Sequence, residues 1–295
     1  MLLPPLSRLR GQDRLLARLS RARRLEDLPP GRAAQLEALF AVGPGELVAA
    51  AAACDGLERE RRWVACAPVS LLVDPAAVRL IADPVRLELA EAEARALFAT
   101  VARWCAGSGL EARYAAPERW YLALGPDWEP VEAEPPERWL GADLRGALPG
   151  GPQAGRWRRL VAELEMLLAT EPVNERRRAQ GRLPANSVWL WGSARASPPR
   201  APGALCRSDD PLLRALAASA GMRVLPLGGH DPARESAPAL LDLASLPPAS
   251  LGPPVPAEWW LACGHRYRVG RLDRLAFWRR RDAGAEPQGL PGEAP

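Results

Sequence analysis

Between residues 125 and 154 the chain carries Pro126, Pro130, Pro135, Pro136, Pro149 and Pro152, with acidic side chains between them. Each proline removes an amide donor and fixes its own φ, so no helix or strand ladder of ordinary length passes through such a stretch. The sequence therefore predicts a proline-rich linker over 126–154, and this is the best candidate for a division of the chain. With 295 residues, 48% of them apolar, the chain can fill one large core or two ordinary ones without disulfide or metal staples.

On the N-terminal side the texture changes once. Residues 1–60 read as a helical N-terminal segment: Leu6, Leu9, Leu15, Leu16 and Leu19 share a face, and Leu36, Leu39 and Phe40 begin a second amphipathic stretch after Pro29, Pro30 and Gly31. From Trp63 short apolar runs follow, Trp63 to Ala67, Val69 to Val73 and Val78 to Ala82. Pro68, Asp74 and Pro75 separate them, which predicts strands joined by tight turns. Leu89, Ala92, Leu97, Val101 and Trp104 then recur at helical intervals until Gly107 and Gly109. Two further strands are expected near Leu110 to Tyr114 and Arg119 to Leu124. Residues 61–125 thus predict an α+β subdomain.

Beyond the prolines, Trp157, Leu160, Val161, Leu164 and Leu168 predict a helix that Pro172 ends. Asn174 is placed to cap a short second helix running into Gly181. Val188 to Trp191 is apolar on both faces, as an inner strand of a parallel sheet would be. Asp210 and Pro211 open a helix, Gly221 closes it, and Met222 to Leu227 reads as the next strand, making a βαβ unit with Val188 to Trp191 as its first strand. A strand near Leu240 to Leu243, a helix near Glu258 to Cys263 and a closing strand through Leu275 to Trp278 complete an α/β domain over 155–281, with a frayed tail at 282–295. The predicted fold class is α/β: a parallel-sheet core, an α+β subdomain and a helical lead-in.

Several classes of function are disfavoured. His230 and His265 are the only histidines, and the five cysteines are scattered without a C-x-x-C pair, so neither a zinc knuckle nor a disulfide framework is expected. Arginines interrupt the first 24 residues, leaving no signal-peptide core, and no segment approaches the ~20 unbroken apolar residues of a membrane span. A cytoplasmic protein is expected. The net charge of +4 is spread along the chain, and all the basic residues are arginine, so nucleic acid is not the expected partner.

One segment carries a resemblance. Asn174-Glu175-Arg176-Arg177, Gly181, and Pro184-Ala185-Asn186 follow N-x-x-R-x-x-x-G-x-x-P-A-N, a pattern that resembles the archaeal-type cofactor-independent phosphoglycerate mutases. With Trp157, Glu163 and Glu165 to Leu168 before it, and Ser187-Val-Trp-Leu-Trp-Gly192 after it, the run looks like a proteobacterial family described as phosphoglycerate-mutase-like or as RpfE-type regulatory proteins. Pro117 to Leu122, Asp209 to Leu212 and Phe277 to Arg280 look like further landmarks. The resemblance implies an alkaline-phosphatase-like fold and, in the mutases, two divalent metal ions held by several Asp and His residues, with a serine or threonine nucleophile. Two histidines cannot supply three histidine ligands. Where relatives tend to have His before Pro-Val-Asn this chain has Glu171, whose charge would repel a phosphate.

The candidate ligand-binding residues are therefore Asn174, Arg177, Asn186 and Ser193, for a small phosphorylated or anionic ligand or a protein partner. Each also has a plainer role. Asn174 and Arg177 could cap the short helix and tie it to the sheet, with Arg176 and Arg178 on a solvated face, and Asn186 could fix a turn. Ser193 follows a strand but lacks the G-x-S-x-G elbow and a neighbouring histidine. Trp189, Trp191, Trp259 and Trp260 read as core. Cys263 and His265 read as a partly buried thiol and a surface imidazole. Asp209 and Asp210 read as helix-cap residues, with Asp209 as an alternative relic metal ligand. No metal or cofactor is expected. The sequence thus predicts a regulatory or binding relative of the mutases without the two-metal site; an active mutase or related phosphoryl-transfer enzyme with two divalent metal ions is the alternative.

Overall fold

A computed structural model describes residues 1–3, 6–9, 11–75, 77–129, 131, 133–144, 147, 150–192, 198–228, 239–244, 257–261 and 263–270. In chain order the elements are β1 (Leu2–Leu3), α1 (Asp13–Leu19), β2 (Arg23–Arg24), α2 (Arg32–Phe40), α3 (Pro44–Cys54), β3 (Trp63–Val73), β4 (Val78–Ala82), α4 (Pro84–Leu87), α5 (Glu91–Gly107), β5 (Glu111–Ala116), β6 (Arg119–Ala123), α6 (Ala154–Ala169), α7 (Pro172–Ala179), β7 (Ser187–Trp191), β8 (Leu205–Arg207), α8 (Pro211–Ser219), β9 (Arg223–Leu225), β10 (Ala239–Leu241), β11 (Ala257–Leu261) and β12 (Arg266–Val269). The architecture is mixed α/β. Among the described residues no single helix is long and apolar enough to cross a bilayer.

The stretch Gly43–Ser197 makes one compact unit. Its sheet runs β4-β3-β6-β5, and β7 also pairs with β3. Strand β3 is one element through Pro68, which lies opposite Val188, so the two strands expected on either side of that proline are a single one. A ladder tolerates proline wherever the missing N–H is not required to donate. Helices α5 and α6 cover one face, where Leu97, Val101, Cys105, Leu160, Leu164 and Leu168 pack with Val64, Cys66, Leu122, Val188 and Leu190. Burial in that layer raises the Cys105 thiol to about 12. The other face buries Ala67, Val69, Leu80, Leu144 and Trp189.

Strand β7 corrects two expectations. It is antiparallel to β3, with Cys66 opposite Leu190 and Val69 opposite Ser187, rather than an inner strand of a parallel sheet. An apolar run without alternation demands cover on both faces, and two layers of side chains supply that cover to an antiparallel strand equally well. Because α6, α7 and β7 complete this sheet, the chain does not divide in the proline-rich stretch, nor at residue 60. Described residues of that stretch enter the unit's core: Trp128 packs against Trp157 with ring centroids 4.5 Å apart, and Trp157 Nε1 donates to the Glu129 carbonyl at 3.1 Å. Proline forbids regular backbone pairing but not burial.

The second unit combines Met1–Val42 with the described residues between Pro198 and Gly270. It holds a sheet of order β1-β11-β12-β2 and a parallel sheet of order β10-β8-β9. A bridge between Leu2 and Asp242, with Leu243 N donating to the Leu2 carbonyl at 2.9 Å, joins them. The βαβ unit exists, but its first strand is β8 and not Val188 to Trp191: β8, α8 and β9 follow in order, with β8 and β9 parallel. Asp210 caps α8 by accepting from Leu212 N at 2.9 Å, and Pro211 opens the helix. The N-terminal segment is not purely helical, since β1 and β2 are edge strands of the first sheet. The segment expected as a helix near Glu258 to Cys263 begins as strand β11, where Trp259 pairs with Tyr267 and Trp260 with Arg266. A short aromatic run has no period of its own and fits a pleated, half-buried surface well. The expected strand at 275–278 and the tail at 282–295 lie outside the described residues.

Candidate functional site

The candidate residues Asn174 and Arg177 lie on α7, which starts three residues earlier than the sequence predicts. Glu171 is the N-cap and Pro172 the first helical residue, so Asn174 falls inside the first turn and points inward. Its side chain is fully buried. Asn174 Nδ2 donates to the Leu168 carbonyl at 2.7 Å and to the Ala185 carbonyl at 2.9 Å, while its Oδ1 accepts from Ala185 N at 2.8 Å. One amide thereby joins the end of α6, the start of α7 and the entry to β7. Glu171 accepts a short hydrogen bond from Thr100 Oγ1 on α5.

Arg177 is 1% exposed. Its Nε donates to the Leu183 carbonyl at 2.8 Å, Nη2 to the Leu87 carbonyl at 2.6 Å, and Nη1 to Glu93 Oε2 at 2.7 Å. The fork binds α7 to the end of α4 and the start of α5 through partners in this chain. Burial pulls the guanidinium below its ordinary value, against the opposing pull of the Glu93 carboxylate. Arg176 and Arg178 are exposed, as a solvated face requires.

Asn186 closes the group. Its Oδ1 accepts from Leu71 N at 2.8 Å and its Nδ2 donates to the Leu71 carbonyl at 2.9 Å, so the side chain continues the ladder between β7 and β3 by one step. After β7, Gly192 adopts φ +74, and a Cβ there would stand 2.3 Å from Val48 Cγ2 and 2.7 Å from the Pro44 carbonyl. Only glycine fits that approach. Ser193 and His230 lie outside the described residues. The structure thus brings Asn174, Arg177 and Asn186 into one turn-and-strand assembly, in which each hydrogen bond described goes to this chain's own groups.

A second polar cluster lies in the other unit, at the carboxyl ends of β8 and β10. Ser208 and Asp242 are buried, and Ser208 Oγ donates to Asp242 Oδ2 at 2.8 Å. Arg32 on α2 reaches across: its Nη2 donates to Asp242 Oδ2 at 2.7 Å and to Asp210 Oδ2 at 2.9 Å. Asp242 Oδ1 accepts from Ala244 N at 3.3 Å, and Asp209 Oδ1 accepts from Leu227 N at 3.1 Å. Carboxyl ends of parallel strands are where open α/β sheets gather ligands, and the apolar run Ala239–Leu241 followed by Asp242 is the sequence signal for this edge. Nothing local marked Arg32, which is 178 residues from Asp210.

His265 is buried rather than on the surface. It follows Gly264, whose φ of +92 brings the Leu28 carbonyl within 2.2 Å of a Cβ position. His265 Nδ1 lies 2.9 Å from Arg24 Nη2 and 3.2 Å from Asp27 Oδ2, so the imidazole sits inside an ion pair. Trp259 is core, and Arg266 stacks on Trp260 at 4.2 Å. Among the described residues no three His, Cys, Asp or Glu side chains group to hold a metal ion. The carboxylates at the β8 and β10 ends face an arginine, a hydroxyl and backbone amides, so the described donors do not fit a two-metal centre.

No protein-family model matches the chain. Over 107 residues it is 34% identical to the 2,3-bisphosphoglycerate-independent phosphoglycerate mutase of Methanosarcina barkeri, covering 34% of this chain and 26% of that protein. Over 102 residues it is 36% identical to the mutase of Methanothrix thermoacetophila, covering 32% and 26%. Among solved structures, the cofactor-independent phosphoglycerate mutase of Thermoplasma acidophilum aligns over 78% of this chain and 68% of its own, at 17% identity and a TM-score of 0.39. The sequence match spans about a quarter of the length of these relatives. Over about a third of its length, the chain is a distant homologue of the cofactor-independent phosphoglycerate mutases.

Proposed function

We propose that this protein is a phosphoglycerate-mutase-like regulatory or binding protein, of the RpfE type that its sequence resembles, which does not carry out two-metal phosphoryl transfer. The observation that carries this reading is the bonding of the signature residues. Asn174, Arg177 and Asn186 hold helix to helix and strand to strand through their own backbone partners. In this reading the homologous segment is a retained scaffold, and the ligand or partner is recognised elsewhere on it. A cytoplasmic location follows from the same reading.

An active mutase, or a related enzyme using two divalent metal ions, is the second reading, and the 34% identity over 107 residues favours it. Two measurements on natively purified protein separate the two. Metal analysis should find no stoichiometric Mn, Zn or Mg, and interconversion of 3- and 2-phosphoglycerate with added Mn²⁺ should not exceed the buffer blank. Two tightly held ions together with turnover would establish the enzyme.

A further inference from the structure

The two carboxylates at the β8 and β10 ends converge on one point. Asp210 Oδ2 and Asp242 Oδ2 lie 2.9 and 2.7 Å from the same atom, Arg32 Nη2. Ser208 Oγ is 2.8 Å from that second oxygen. Oxygen ligands of Ca²⁺ and Mg²⁺ converge in the same manner at about 2.0–2.6 Å. Asp242 is 2% exposed, so its charge has little water to neutralise it and needs a partner.

We propose that Arg32 is a covalently held counter-ion that fills the cation position at this strand edge, closing it to divalent metals. A guanidinium is a planar cation whose donors sit in a rigid fork, so one nitrogen serves both carboxylates. It also anchors α2 to the ends of β8 and β10, whereas a metal would dissociate and leave two like charges facing each other. The proposal stands on this cluster's geometry alone. It survives if the protein proves to be an enzyme with metals bound elsewhere.

The test follows thermal unfolding with and without millimolar Mn²⁺ or Ca²⁺. The wild-type Tm should not rise with either ion. Arg32→Met should lower the Tm by roughly 5–10 °C, since it leaves buried charge unpaired, and Mn²⁺ should restore part of that loss. Arg32→Met combined with Asp242→Asn should recover stability without metal and lose the Mn²⁺ response, which keeps the proposal open to refutation if the single variant folds poorly. A wild-type Tm that rises with Mn²⁺ as much as that of Arg32→Met, or an Arg32→Met Tm equal to wild type, overturns it.

Discussion

The α7–β7 assembly and the β8–β10 edge are both polar clusters under cover, and they are neutralised in different ways. At α7–β7, amides and a guanidinium are satisfied mainly by backbone carbonyls from neighbouring elements. At the β8–β10 edge, side chains meet side chains: two carboxylates, a hydroxyl and an arginine drawn from segments 34 to 210 residues apart. The first arrangement fixes backbone to backbone, and its geometry is the fold itself. The second has side chains that can change without undoing a ladder, and chemistry can be gained or lost there at less structural cost.

Four substitutions or conditions sharpen that contrast. The largest effect belongs to Arg177→Met, which takes the guanidinium from the Leu87 and Leu183 carbonyls and leaves Glu93 only Arg182 and the Ala90 amide, and should cost about 3–5 kcal/mol. A denaturant melt reads it, and an unchanged midpoint would return Arg177 to the list of ligand-binding candidates. Asn174→Ala takes the side-chain partner from both the Ala185 amide and the Ala185 carbonyl and leaves the Leu168 carbonyl only backbone donors, for an expected loss of about 2–4 kcal/mol in the same melt. A loss under half a kcal/mol would break the architectural side of the comparison. Asn186→Ala should cost only about 1–2 kcal/mol, because the half-buried Leu71 groups can turn to water. Hydrogen exchange at Leu71 should quicken while exchange in β8 and β9 is unchanged.

The smallest effect is in acid. Its hydrogen bond to Arg268 holds Glu258 below the usual carboxylate range, and that to Arg61 does the same for Glu111. A depressed folded pKa means the contribution is complete above the unfolded value of about 4.3 and is lost as pH falls through the folded one. Both carboxylates are partly exposed and screened by solvent, so Arg61→Ala should alter the Tm difference between pH 6 and pH 3 by no more than about 1–2 °C. A larger change would show that surface pairs rival the buried clusters.

Local chemistry determined much of this protein before any tertiary contact. The period of Leu160, Leu164 and Leu168 placed α6; Asp210 with Pro211 opened α8; and Gly181, at φ +70, ended α7 as a C′ residue should. Turn residues separated β4, β5 and β6 at nearly their observed bounds. These signals act over a few residues, within reach of a single turn or capping bond. Tertiary structure alone decided the rest. Val188 to Trp191 is apolar enough for either sheet type, and only its pairing with β3, more than 100 residues away, made it antiparallel. Asn186 became a strand cap because Leu71 presented both backbone groups to it, and Arg32 became a counter-ion because folding carried two distant carboxylates to one point. A side chain's type limits which bonds it can make, but the partner is supplied by whichever segment packs beside it.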